Sequence, residues 1–267
     1  FMKLIKLIVS VLTLSIFTSS FGNASSAYTG PDLSGESLTI LGPWMAPEDE
    51  SFRDVISIFE NATGATVEYG GSDEFEQIIN IDCQAGSPPD IAVFPQPGLA
   101  ANIAATGCLK PLGPDVESLV SANYAAAQSW IDLATYKDSA GFEKFYGVFY
   151  RVNVKSLVWY SPDNFEDNGY EIPGTMEDLI ALTEQMAADG NTPWCIGLGS
   201  GGATGWPATD WMEDVMLRSY PTFVYDNWVS NELKFNDQKI LDAMDFFGSF
   251  ALNDSYVNGG AKAVATT

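Results

Sequence analysis

The chain has 267 residues, 46% of them hydrophobic and 13% aromatic, which is enough for one large domain or two smaller ones and too apolar for a disordered chain. Its formal net charge of −23 opposes nucleic acid and anionic lipid as partners. Histidine is absent, which removes the Ser-His-Asp and Cys-His catalytic arrangements and every His-ligated metal centre.

Residues 1–27 read as a secretory leader. Lys3 and Lys6 give a basic start, residues 7–17 an apolar run, and residues 18–27 a small, polar end. The apolar run is shorter than the roughly 20 residues of a membrane span, so export as a soluble protein is expected rather than insertion. Cleavage fits after Ala24 or Ala27, with Ala27 preferred.

Residues 37–42 then read as a short buried strand that ends in Pro43-Trp44. Phe52, Val55, Ile56 and Phe59 recur at helical spacing, and Gly64 closes that helix. A β-branched strand follows at 66–69, a helix at about 73–85 carrying Phe75, Ile78, Ile79 and Cys83, an apolar strand at 90–94, and a short helix at 99–106. Strands that alternate with helices and are apolar on both faces predict a parallel α/β sheet. In such sheets ligands sit beyond the C-terminal strand ends, where Trp44, Ser72-Asp73 and Pro95-Gln96-Pro97-Gly98 fall.

Residues 146–160 form a β-rich run longer than an ordinary strand of about 5–6 residues, which one run crossing between two domains would explain. Residues 163–174 read as a turn-rich loop whose Asp163, Asp167 and Glu171 lack calcium-loop spacing. Leu179, Leu182 and Met186 mark a helix, and residues 195–198 another strand. A glycine loop from Ser200 then passes through Trp206-Pro207 into a helix with Asp210, Glu213 and Asp214 in its early turns. Ile240, Met244 and Phe247 mark the last clear helix. In an oxidising compartment a Cys83–Cys108 bridge is expected, with Cys195 left over as a small buried hydrophobe.

Six segments carry a resemblance. They are Phe59-Glu-Asn-Ala-Thr-Gly64, Gly86-Ser-Pro-Pro-Asp-Ile-Ala92, Phe94-Pro-Gln-Pro-Gly98, Asn153-Val-Lys-Ser-Leu-Val-Trp-Tyr160, Pro193-Trp-Cys-Ile-Gly197 and Gly202-Ala-Thr-Gly-Trp-Pro-Ala-Thr-Asp-Trp-Met-Glu-Asp214. With them the chain resembles the family 1 extracellular solute-binding proteins of ABC importers, in the branch that binds α-glucosides. The resemblance implies an α/β, type II periplasmic-binding fold whose two lobes are joined by a hinge. Residues 37–147 would form most of the first lobe, 147–153 the hinge crossing, and 154–267 the start of a second lobe. Complete members are longer, so the second lobe is expected to be incomplete in this chain.

By the same resemblance the ligand would meet Trp44, Asp73, Phe94 and Gln96 from the first lobe and Asn153 at the hinge. Thr204, Trp206, Asp210 and Trp211 would come from the second. The tryptophans would offer ring faces to sugar, and Asp73, Gln96, Asn153 and Asp210 would bind its hydroxyls. Asp210 has a plainer reading as a helix-start partner of Glu213, and Trp211 as core. Arg151 and Lys155 read as surface charges of the crossing. The implied function is capture of a sugar, such as maltose, sucrose or trehalose, by a periplasmic monomer. The sugar would pass to an ABC importer's membrane permease, with no cofactor or metal. A secreted glycoside hydrolase acting on α-glucosides is the competing reading. It needs two carboxylates roughly 5–10 Å apart, and no such pair stands out across the strand ends.

Overall fold

The computed structural model describes residues 28–155 and 157–266, so the leader reading at 1–27 lies outside the described residues. Three βα units open the fold: β1 (Ser37–Gly42) and α1 (Glu48–Thr63), β2 (Thr66–Gly71) and α2 (Phe75–Ala85), β3 (Ile91–Ala92) and α3 (Pro97–Thr106). The strands are parallel in the order β2-β1-β3, with Ile40 beside Tyr69 on one side and Ile91 on the other. β1 is therefore hydrogen-bonded along both edges. The Asp90 carboxylate fixes the entry of β3, accepting from the Thr39 N–H and hydroxyl at 2.8 Å each. Those two donors hold the Asp90 carboxyl below its ordinary pKa.

Gly64 and Gly86 take left-handed conformations at the ends of α1 and α2, a backbone state that costs other residues a steric penalty. α2 seats Phe75 and Ile79, each 1% exposed, in the core. α1 departs from its expected pattern. Ile56 is buried, whereas Val55 and Phe59 are exposed, because no described element packs over that side of the helix.

After α3 come α4 (Pro114–Asn123), α5 (Ala127–Leu133) and a hairpin of β4 (Thr135–Lys137) with β5 (Glu143–Phe145). Asp138 organises the turn, its Oδ1 accepting from the N–H groups of Ala140 and Phe142 at 2.9 Å each. Val120, Ile131, Ala134 and Phe145 form the local core.

The long strand expected over 146–160 is not there. Past Phe145 no described residue of that run joins a ladder, and Val152, Val154, Leu157, Val158 and Trp159 are exposed. A strand needs a neighbour to supply facing donors and acceptors, and past the Tyr146 N–H, which donates to the Ala134 carbonyl at 2.9 Å, no ladder forms among the described residues of the run.

The rest of the described chain is helical: α6 (Pro162–Asn168), α7 (Met176–Ala188), a 3-10 turn (Gly201–Ala203), α8 (Trp206–Ser219), α9 (Thr222–Val229), α10 (Gln238–Ala251) and α11 (Ala261–Val264). α6 replaces the first part of the turn-rich loop expected at 163–174. Ser161 caps its start and Pro162 opens it, so loop-like composition conceals a capped two-turn helix. The strand expected at 195–198 contracts to one parallel bridge, Trp194 with Val257.

Two clusters hold this part, and α10 enters both. Ile240 and Ala243 pack with Met212, Met216 and Val224, whereas Phe250 and Ala251 pack with Ile196, Val257 and Val264. Met244, expected on the inner face of α10, is exposed. The buried positions of α10 run from Ile240 through Ala243 to Phe250 and Ala251 instead.

The Sγ atoms of Cys83 and Cys108 are bonded, with their Cα atoms 5.7 Å apart, and tie α2 to the chain just beyond α3. Cys195 is free and exposed, contrary to its expected burial. Its neighbour Ile196 takes the core position, so Cys195 faces outward. The bridge closes 25 residues, and Cys83→Ser with Cys108→Ser should lower unfolding stability by about 3–4 kcal/mol in denaturant titration.

Candidate functional site

Trp44 stands at the C-terminal end of β1, held from below by one hydroxyl. The Trp44 N–H donates to the Tyr69 oxygen at 3.1 Å, and the Tyr69 O–H donates to the Trp44 carbonyl at 3.0 Å. Tyr69 is 7% exposed, and burial pushes its phenol pKa up, so it stays neutral and able to donate. Phe52 meets the Trp44 ring edge-on at 5.1 Å and Tyr150 at 5.9 Å. The Arg151 guanidinium lies over the same ring at 5.5 Å, pinned by Glu48 and by the Asn153 side-chain oxygen.

Trp206 begins α8 and is 48% exposed, far more than a core tryptophan would be. Lys155 Nζ stands 4.5 Å from its ring centre and 3.0 Å from the Asp210 carboxylate. An exposed cation–π contact contributes about 0.5–1 kcal/mol and an exposed ion pair about 0–1 kcal/mol, so both are weak holds. A groove of about 970 Å³ is lined by Asn153, Lys155, Trp159, Trp206 and Asp210 and by residues of α6 and α7, and Trp44, Asp73, Phe94 and Gln96 are not on its wall.

The remaining expected contacts divide. Asp73 is exposed in the turn that enters α2, at the same strand ends as Trp44. Phe94 is half-buried and packs edge-on against Phe75 at 5.5 Å, part of its ring belonging to the core. Gln96 caps α3, its amide oxygen accepting from the Leu99 N–H at 3.0 Å, which leaves its amide hydrogens as the free donors. The Thr204 hydroxyl is engaged within its own turn, accepting from the Ser200 N–H and donating to the Gly201 carbonyl. Trp211 packs against Trp194, Phe247 and Phe250 and also lines the groove.

Asp210 does not cap α8. Gly205 holds that position without a side-chain bond, and Pro207 is the second helical residue rather than the first. Arg151 and Lys155 are surface charges as expected, and each also lies over a tryptophan, which the sequence did not reveal. Tyr69 went unnoticed because its role depends on β2 lying beside β1, and Tyr150 because it meets Trp44 from a segment over a hundred residues further along the chain.

The two parts of the chain meet near the glycine loop. The 3-10 turn contacts α2, and a β-carbon on Gly201 would come within 2.8 Å of the Glu74 carboxylate. One on Gly202 would collide with the Gln77 amide. Absence of side chains here allows the approach.

The carboxylates of α8 are each engaged separately. Asp210 pairs with Lys155, Asp214 pairs with Arg218 at 2.8 Å, and Glu213 is hydrogen-bonded to Tyr225. Burial raises the Glu213 pKa, and burial followed by the Glu213 charge pushes Tyr225 up to about 12. Of these pairs, Glu213 with Tyr225 is the one that joins α8 to α9.

A methyl added at Gly71 would overlap the Trp44 carbonyl, a backbone atom that cannot swing aside. Gly71→Ala should therefore cost about 1–3 kcal/mol in denaturant titration and detach the Trp44 backbone from Tyr69. Wild-type stability in that variant would show that the Trp44 position is not fixed.

The profile of the bacterial extracellular solute-binding protein family matches residues 42–263. The alpha-glucosides-binding periplasmic protein AglE of Rhizobium meliloti is 56% identical over 89% of this chain and 52% of its own length. The osmoprotective compounds-binding protein GgtB of Synechocystis is 39% identical over 100% of this chain and 61% of its own. The chain thus spans about half to three-fifths of the length of these curated relatives.

Two solved structures share the fold. One, from work on xylan utilization by Caldanaerobius polysaccharolyticus, has a TM-score of 0.65 at 15% identity over 84% of this chain and 55% of its own. The solute receptor AcbH, reported with a preference for β-D-galactopyranose, has a TM-score of 0.61 at 22% identity over 85% and 55%. With that profile covering most of its length and β1–α3 winding as the fold requires, the chain belongs to the bacterial extracellular solute-binding protein family, with an α/β fold of the type II periplasmic-binding kind.

Proposed function

We propose that this protein captures an α-glucoside outside the cytoplasmic membrane and hands it to an ABC importer without altering it. The observation that carries the reading is the pair Trp44 and Trp206. One stands at a parallel-strand end and the other at a helix start, and both border the same short segment through Arg151 and Lys155. Arg151 and Lys155 lie four positions apart, so one short segment brings a cation to each ring. Ring faces would take the apolar side of the sugar, and Asp73, Asn153, Asp210 and the Gln96 amide its hydroxyls. Likeness to AglE supports α-glucosides as the class.

In this reading residues 37–147 belong to one lobe and 154–267 to a second, with 147–153 crossing between them. Closure brings the glycine loop onto α2. The leader directs the protein to the periplasm, where it works as a monomer beside its permease. Each carboxylate of α8 has its own partner, which disfavours the hydrolase reading, since that chemistry needs two carboxylates held ready on either side of one bond.

The protein should be made both as residues 28–267 and from its whole gene. The whole-gene product should gain about 2.7 kcal/mol of stability from maltose, sucrose or trehalose at a hundredfold excess over Kd, and return the sugar intact. Trp44→Ala and Trp206→Ala should each abolish binding in calorimetry while the fold survives. Released glucose would contradict the proposal, as would unchanged affinity in both variants.

A further inference from the structure

The contact between Lys155 and Trp206 has a consequence for how the site opens to ligand. Lys155 rests on the ring that the proposed sugar would use and neutralises the carboxylate that would bind its hydroxyls. Arg151 makes the matching contact over Trp44 with two anchors, Glu48 and Asn153. Lys155 has Asp210 as its ion-pair partner, with Glu213 acting on it through its charge, at a position where its side chain is 48% exposed and water competes for it. The Arg151 fork is planar and pre-organised, whereas a lysine ammonium is a strongly hydrated point charge on a flexible stem.

We propose that Lys155 is a displaceable internal occupant of the Trp206 platform, which ligand must evict before it binds. This rests on the sugar reading above. Apparent affinity is then the intrinsic affinity scaled by the fraction of molecules whose platform is free. Salt screens the Lys155–Asp210 pair and raises that fraction, so a neutral sugar should bind more tightly as ionic strength rises. The lysine also keeps a charge beside Asp210 while the site is empty, sparing the carboxylate an unpaired state.

The test uses the whole-gene protein labelled with 13Cε-lysine. In the free protein the Lys155 resonance, assigned by its loss in Lys155→Met, should lie upfield under the indole ring current and return to the exposed position in Trp206→Leu. Saturating maltose, sucrose or trehalose, whichever binds tightest, should move it to the exposed position in the wild type. Lys155→Met should bind that sugar about fivefold more tightly and lose the dependence on salt. Sugar bound with Lys155 still over the ring would overturn the inference, and so would weaker binding by Lys155→Met, which would make the lysine a ligand contact. If wild type and Lys155→Met alike bind none of the three sugars, the sugar reading fails and this inference fails with it.

Discussion

Pairing along both edges of β1 is the constraint on which the described structure depends. β2 and β3 satisfy its donors and acceptors, so the strand has one register and its C-terminal end one position. Tyr69 on β2 then fixes the backbone of Trp44 through a single hydroxyl, and Gly71 leaves room for the Trp44 carbonyl. Three strand ends thereby present Trp44, Asp73 and the Phe94–Gln96 turn together. The site on this side follows from register more than from any one contact.

The C-terminal part shows the opposite case. Its segment at 146–160 has strand-forming composition but forms no ladder among the described residues. Trp159 is 87% exposed and Val154 79%, values at odds with their apolar side chains. What this part does have is helix packing through α10, which reaches two clusters and holds α8, and with it Trp206 and Asp210, in place. Between the two parts, residues 150–155 supply a ring or a cation to each tryptophan.

Much of this was legible in the sequence where local chemistry and tertiary demand agree. The strand at 37–42, the helix carrying Phe75 and Ile79, and the helix opening at Trp206-Pro207 all stand near where their residue patterns put them. Where demand comes from a neighbour, the sequence was silent or misleading. Residues 146–160 have the composition of a strand, and composition does not supply a partner. The sequence around Ser161-Pro162 has the residues of a loop, which are also those of a helix cap. Cys195 has the hydrophobicity of a core residue beside an Ile196 that takes the core position. Lys155 is a surface charge, as its sequence suggested, but its partners Trp206 and Asp210 lie more than fifty residues away and could not be read from it.

The central claim, that Trp44 and Trp206 form the two sides of one sugar site, is tested most directly by hydroxyl-radical footprinting read by mass spectrometry. Oxidation of each tryptophan would be measured in the whole-gene protein with and without saturating maltose. Trp159 is 87% exposed and lines the same groove as Trp206, so its oxidation reports whether ligand contact spreads beyond the site pair. The account predicts that maltose protects Trp44 and Trp206 and leaves Trp159 unchanged. Protection of Trp159 alone, or of only one of the site pair, would contradict it.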